Sequence, residues 1–337
     1  MVINDMNELV SIIIPVFNGE LYVSRMVGMI KAQTYKNIEV IIVNDGSTDR
    51  TEVELTRCIQ GDKRFFVYTK ENSGPSSSRN FGLKYVKGNY VAFIDSDDYI
   101  YPEYVEYLYE IIIRYNADMS CCEYFKCLER EESLKVQVRD SEKVFSMEEA
   151  LKNLYRKKYI TGYPYLKLIK REKILNIKFP EKIKYAEDII FIDEVIRKCQ
   201  SVAYGNRVLY IYYQNSNSIT HTSDCEKLWD AWIFHRNYYD DIIKTSVEDI
   251  RNAVLCKQFI MAMDVCCRLW HSNTYFRSEL LRYIKEIDWS IVKNKENKKN
   301  HRILGMLSCV SVTLTIRLCL LYLWVNRRLG RQRKKAL

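Results

Sequence analysis

Three carboxylates crowd the stretch "VAFIDSDDYIYPEY", residues 91–104, where Asp95, Asp97 and Asp98 follow directly on four apolar residues. An apolar run that stops on acids reads as a buried strand delivering hard oxygen ligands at its C-terminal end, where open α/β sheets bind ligands. The same residues suit a polar turn before a helix opened by Pro102. Phe17 in "PVFN", Asp45 in "NDGSTD" and Arg79 in "SSSRN" add an aromatic face, an acceptor and a cation. These are the parts a nucleoside diphosphate needs. A base can lie against Phe17 while Asp45 accepts its N–H, and Arg79 with a cation on Asp97 can neutralise the diphosphate. Taken singly, Asp45 is also a turn or helix-cap residue, Phe17 a core residue and Arg79 a surface ion-pair partner.

The elements that must position these residues are legible as alternating periods. "VSIII" (10–14), "IEVIIVN" (38–44), "RFFVYT" (64–69) and "YVAFID" (90–95) read as strands. Helical patterns separate them over 20–33, 49–60 and 76–86, and another runs from Pro102 to about Tyr115. Near-continuous Val/Ile runs between helices predict a mainly parallel sheet covered on both faces. Each candidate site residue then falls at a strand's C-terminal end. No G-x-G occurs, so neither the dinucleotide fingerprint nor a phosphate-binding P-loop is present. Beyond a strand pattern at 117–125, residues 129–143 are charge-dense and read as a surface hairpin or loop. Helices are expected near 146–157, after "YPYLKLIKRE", and over 185–199, with a strand at 207–214 and a loop through "NSNSITH". From 226 to about 289 the pattern is helical, with an aromatic and aliphatic stripe suited to packing.

Composition bounds the rest. The 337 residues are 47% hydrophobic with only five Pro, enough apolar content for a sizeable core. Eleven Cys show no C-x-x-C or zinc spacing and are expected as reduced, mostly core thiols in a cytoplasmic protein. "MVINDMNELV" carries acids and does not read as a signal peptide. Of the net charge of +9, residues 293–337 hold twelve Lys or Arg against one acid, Glu296, leaving the body near neutral. That distribution argues against a general nucleic-acid binder and marks a basic tail. Within the tail, residues 293–302 read as a basic linker. Residues 303–325 are apolar except for Arg317, and Ile303, Leu307, Val310, Leu314, Leu318, Leu321 and Val325 form one helical stripe. A helix lying on the cytoplasmic leaflet is favoured over a full span, a core helix or a strand, with Trp324 at the interface.

The motifs "SIIIPVFNGELYV", "VNDGSTDRT", "NSGPSSSRNFGL" and "YVAFIDSDDY", with "YLKLIKREKI" and "FPEKIKYAEDIIF", resemble the family 2 glycosyltransferases over roughly residues 9–221. The resemblance implies the GT-A fold, an α/β Rossmann-like sheet flanked by helices, here with a helical C-terminal region. It implies inverting sugar transfer from a nucleotide-sugar donor, with Mg²⁺ or Mn²⁺ as cofactor. By it, Pro15, Val16, Phe17, Asn18 and Asp45 would cradle the base, usually uracil, and Glu20, Arg79 and Ser96 would belong to the donor site. Asp95 would face the ribose or sugar, Asp97 would coordinate the metal, and Asp188 would be the general base with Glu187 shaping the site. His221 would complete the metal shell or remain a loop residue. Ser78 stands where the family often has Ala, with little consequence expected.

The expected organisation is a GT-A domain over 1–222, a helical region over 223–292 and a membrane-associating tail over 293–337. The expected partners are a nucleotide-sugar donor, a glycan or lipid-linked glycan acceptor and a membrane surface, with no nucleic acid. The site would lie at the cytoplasmic face of the membrane, serving a bacterial surface polysaccharide. Two other readings share these motifs: a polyprenyl-phosphate sugar synthase, and an inactive sugar-nucleotide-binding scaffold.

Overall fold

Val, Ile and Phe make up most of the first, second and fourth strands, and nearly every one of their side chains is buried, on whichever face it points. This double burial is why their sequence runs unbroken rather than alternating. The computed structural model describes residues 7–127, 141–183, 185–213, 224–270, 274–287, 292 and 294–333, with backbone alone at 274 and 323–333. His221 and most of the charge-dense 129–143 segment lie outside the described residues.

β1 (Val10–Val16), β2 (Ile38–Asn44), β3 (Phe65–Thr69) and β4 (Tyr90–Phe93) run parallel, in the spatial order β3-β2-β1-β4. Their crossovers carry α1 (Val23–Lys31), α2 (Thr51–Ile59) and α3 (Pro75–Leu83). β5 (Tyr99–Ile100) and α4 (Tyr104–Arg114) follow, then β6 (Met119–Cys127), β7 (Glu142–Ser146) and α5 (Met147–Arg156). β8 (Lys167–Lys170), α6 (Arg171–Ile174), α7 (Glu187–Ile196) and β9 (Ser201–Tyr213) complete a nine-stranded sheet, ordered β3-β2-β1-β4-β8-β6-β9-β5 with β7 on β9.

The second half of the sheet is mixed. β8 is antiparallel to both β4 and β6, while β6 and β9 are parallel to each other. Sequence reading takes "YPYLKLIKRE" as a lead into a helix, whereas Lys167–Lys170 form a strand and only four helical residues follow. The physical reason is Lys167, a charged residue that is fully buried and so breaks the expected strand pattern. Its ammonium donates to the carbonyls of Thr161 (2.7 Å) and Tyr163 (2.6 Å), which replace the water it has lost. β9 also begins six residues earlier than its apolar run suggests, because Ser201–Gly205 pair with β6 and β7.

The chain divides into two compact units, the first made of Met1–Leu154, Tyr159–Lys182 and Ala186–Ser218, the second of Tyr155–Lys158, Ile183–Tyr185 and Ile219–Leu337. The second unit is helical: α8 (Cys225–Thr245), α9 (Glu248–Arg268), α10 (Thr274–Glu286), α11 (Lys299–Val310) and α12 (Val312–Arg333). Trp232, Phe259, Val265, Leu269, Leu280, Ile284, Val312 and Ile316 share one core there. The expected basic linker is in part helix, since α11 starts at Lys299, and Ser311 breaks the apolar tail into two helices. All eleven cysteines are free, and six are buried.

Candidate active site

The loops that leave β1 and β2 are laced together by side chain to backbone bonds. Asn18 N–H donates to Ser47 Oγ (3.0 Å), Gly19 N–H to Thr51 Oγ1 (2.8 Å) and Glu20 N–H to Asp49 Oδ2 (3.1 Å). In return Asn18 Oδ1 accepts from Thr48 N–H (2.9 Å) and Glu20 Oε2 from Arg50 N–H (3.1 Å). Asn18 sits at φ 47°, a left-handed conformation Asn tolerates better than most residues. The lacing fixes a shelf on which Phe17 stands 51% exposed, a free aromatic face beside a strand end. Val16 points the other way, into the core, so it can offer a ligand only its main chain. Its carbonyl already accepts from Asp45 N–H (2.8 Å).

Asp45 is buried, and its first task is to hold the next loop. Lys70 Nζ and Ser73 N–H (3.1 Å) bond to its Oδ1, and Gly74 N–H (2.7 Å) to its Oδ2. A carboxylate has about four lone-pair sites, so one on Oδ2 is left for a ligand donor. Gly46 makes the approach possible: at φ 69°, a Cβ there would sit 2.9 Å from the backbone nitrogen of Asn72.

Arg79, from the first turns of α3, is the hinge of the site. Its side chain is only 5% exposed, and its two terminal nitrogens reach Asp95 Oδ1 (2.8 Å) and Asp188 Oδ1 (3.2 Å). One guanidinium thus joins the end of β4 to the first turn of α7. Burial opposes its charge, but Asp188 and Asp95 outweigh that and raise its pKa, so it stays cationic. Phe179 covers it, its ring centroid 5.3 Å from the guanidinium carbon, and stacks in turn on Phe191 of α7. Asn80 fixes Phe179 by accepting from its N–H (2.8 Å) and donating to its carbonyl (2.9 Å). Both bonds are buried, so Asn80→Ala strands two backbone groups. We expect a loss of about 2–4 kcal/mol in unfolding free energy, read by urea titration. A loss below about 0.5 kcal/mol would mean that water takes over both groups.

The "DSDD" turn divides its labour. Asp98 is fully buried, accepts from Tyr210 O–H (2.6 Å) and Tyr213 N–H (2.9 Å), and ties the turn to β9. Burial, then the charges of Asp95 and Asp97, push its carboxyl well above the usual range. It is the turn acid of the plainer sequence reading. Asp95, Ser96 and Asp97 remain partly exposed, and Arg25 donates to the Asp97 carbonyl. Among the described residues no three His, Cys, Asp or Glu side chains converge as a self-sufficient metal site. Asp95 and Asp97 nonetheless suit Mg²⁺ or Mn²⁺, which bind through one or two carboxylates and complete their shell with substrate phosphate oxygens.

Glu187 and Asp188 open α7, preceded by Ala186 in a left-handed conformation (φ 59°) that an alanine rarely adopts. The Asp188 carboxylate is 23% exposed. Burial raises its pKa above the usual carboxylate range, Arg79 pulls it back, and Glu187 and Asp95 push it further up. Gly162 lets a neighbouring loop lie against this turn, since a Cβ there would come within 2.8 Å of Ile189 Cβ. Lys167 anchors that loop from its other side and adds a lowering influence on Asp188.

The structure therefore brings Arg79, Asp95 and Asp188 together, places Phe17, Asn18, Glu20 and Asp45 on the laced loops, and puts Pro15 and Glu187 at partly buried flanks. Lys70, Asn80 and Lys167 carry the site's geometry without having been singled out, and Asp98 carries it as a buried tie rather than as a ligand acid. Asn80, adjacent to Arg79, Asp98, last of the acid run, and Lys167, within "YLKLIKREKI", lie inside quoted motifs, whereas Lys70 does not.

Residues 11–177 match the profile of Glycosyl transferase family 2. EpsJ of Bacillus subtilis, an uncharacterized glycosyltransferase, is 30% identical over 264 residues, 75% of this chain and 76% of EpsJ. The glycosyltransferase GlyA of Streptococcus pneumoniae is 34% identical over 221 residues, 64% of this chain, and the chain spans about a third (32%) of GlyA's length. S. aureus TarS 1–349 in complex with UDP-GlcNAc shares the fold with a TM-score of 0.66 at 18% identity, covering 95% of this chain and 92% of that one. The mannosyltransferase PcManGT from Pyrobaculum calidifontis, in complex with GDP-Man and Mn²⁺, aligns with a TM-score of 0.55 at 13% identity, over 94% and 88% of the two chains. The mixed sheet flanked by helices is the GT-A fold, and the chain belongs to glycosyl transferase family 2.

Proposed function

We propose that this chain is an inverting glycosyltransferase that moves a sugar from a UDP-sugar onto a hydroxyl of a glycan or lipid-linked glycan. The observation that carries the reading is the Arg79 bridge, which joins Asp95 on the donor side to Asp188 on the acceptor side. The base would lie against Phe17 and donate to the remaining acceptor site of Asp45. The acceptor hydroxyl attacks the anomeric carbon while its proton passes to Asp188. The bond from that carbon to the diphosphate breaks with its electron pair, and the nucleoside diphosphate leaves. A single displacement inverts the centre, so one basic carboxylate suffices. A divalent cation on Asp97 and Asp95 would neutralise the charge developing on the diphosphate.

The partly exposed Asp188 carboxylate at the head of α7 supports a hydroxyl acceptor, because a hydroxyl needs a base whereas a lipid phosphate is already ionised. UDP-GlcNAc bound to TarS supports a uridine donor, and Mn²⁺ with PcManGT supports a divalent metal. The test is a panel of UDP-sugars with glycan and lipid-linked acceptors, read by UDP release and by the anomeric configuration of the product. We expect acceptor-dependent release with inversion. Retention of configuration would overturn the single displacement, and donor binding without release would leave a scaffold.

A further inference from the structure

Eight of the eighteen exposed large hydrophobic residues among the described residues fall within residues 303–322. They are Ile303, Met306, Leu307, Val310, Leu314, Leu318, Leu321 and Tyr322, with Val310 82% exposed. Ile303, Leu307 and Val310 on α11, and Leu314, Leu318 and Leu321 on α12, recur at intervals of three or four, the spacing of one face within each helix. The opposite face is not free: Val312 and Ile316 sit in the core of the helical unit, and Gly305, Ser308 and Thr315 are buried. So α11 and α12 are held by one side and leave an apolar stripe on the other. No described helix is long and apolar enough to cross a membrane, and the break at Ser311 is one reason.

Charge identifies the occupant. Arg317 lies exposed beside Leu314 and Leu318, and Lys295, Lys298 and Lys299 are exposed before and at the start of α11. The sequence adds Arg327, Arg328, Arg331, Arg333, Lys334 and Lys335 after the stripe. The single acid of the segment, Glu296, is paired with Arg156 (2.5 Å). An apolar face flanked in sequence by exposed and C-terminal cations, with one paired acid among them, suits lipid tails under anionic headgroups. We propose that the α11–α12 face docks this chain onto an anionic membrane surface, lying in the interface rather than spanning it. This goes beyond the catalytic reading and does not depend on it.

Deleting the tail would be a poor test, since Val312 and Ile316 belong to the core. Leu314→Glu with Leu318→Glu changes only the outer face. The assay is sedimentation of the full chain with vesicles of phosphatidylcholine containing phosphatidylglycerol, against phosphatidylcholine alone. We expect co-sedimentation with the anionic vesicles, weaker at high salt, and roughly a hundredfold loss of partitioning in the double variant, about tenfold per leucine. Its melting temperature and UDP release with a soluble acceptor should stay as in the parent. The proposal is overturned if the parent stays in the supernatant with anionic vesicles, if it binds neutral vesicles equally well, or if the double variant still sediments. A parent that light scattering shows as a dimer, and the double variant as a monomer, assigns the stripe to a second copy instead.

Discussion

Asp188→Asn is expected to lower turnover by roughly 10²-fold or more while leaving donor affinity within about a factor of three. Asn keeps the size of the side chain and can still accept a bond from Arg79, but it cannot take a proton from an attacking hydroxyl. Calorimetry with UDP separates the two effects, and thermal melting checks that the variant folds. The pH profile of the parent follows from the same carboxyl. A base works only when unprotonated, so activity falls as pH drops through the Asp188 pKa. Burial and the neighbouring acids raise that pKa, so the acidic limb should lie above the usual carboxylate range and vanish in the variant's residual activity. Donor affinity falling as far as turnover would make Asp188 a strut of the site, with the base elsewhere. That outcome is physically available, because the Asp188–Arg79 bond also holds α7 against α3.

What could be read from the chain follows from which forces leave a local trace. Strands buried on both faces announce themselves as unbroken apolar runs, and β1, β2 and β4 were legible for that reason. The loops at their ends were legible because turn and ligand chemistry both draw on Asp, Asn, Ser and Gly. Long-range polar contacts leave no such trace. Nothing near Lys167 in sequence indicates that its charge will be buried and answered by two carbonyls, so β8 was read past. The same holds for Arg79, whose sequence setting suits a phosphate ligand or a surface pair equally well. Its two partners lie 16 and 109 residues away.

Asp45 shows how a residue read as a ligand acceptor can also hold the fold of its own loop. Its type and position suit reading a base edge, yet three of its acceptor sites hold Lys70, Ser73 and Gly74. The two roles would reinforce each other. A carboxylate whose direction is set by three such donors would be presented to a ligand without losing rotamer freedom on binding. The stripe on α11–α12 was legible in the opposite sense: its period was plain, but only the structure distinguishes an apolar face that is covered from one that is not.

The last of the large effects belongs to Asp97. If Asp97 carries the cation that neutralises the diphosphate, Asp97→Ala should lower turnover by roughly 10²–10³-fold or more, the scale of losing one preorganised charge contact in the transition state. Chelation of the parent should have the same effect, and restoring Mg²⁺ or Mn²⁺ should rescue the parent but not the variant. A second readout avoids dependence on turnover: added Mn²⁺ should tighten UDP binding to the parent and leave the variant's binding unchanged. Asp98 supplies the internal control. It stands one residue on but is buried against Tyr210 and Tyr213, so Asp98→Asn should lower the melting temperature while leaving the metal dependence of UDP binding in place. Full turnover of the parent in excess chelator would remove the cation from the mechanism. The diphosphate's charge would then fall to Arg79 and the backbone donors at the strand ends. Arg79 is poorly placed for that task, because both of its terminal nitrogens already face carboxylates.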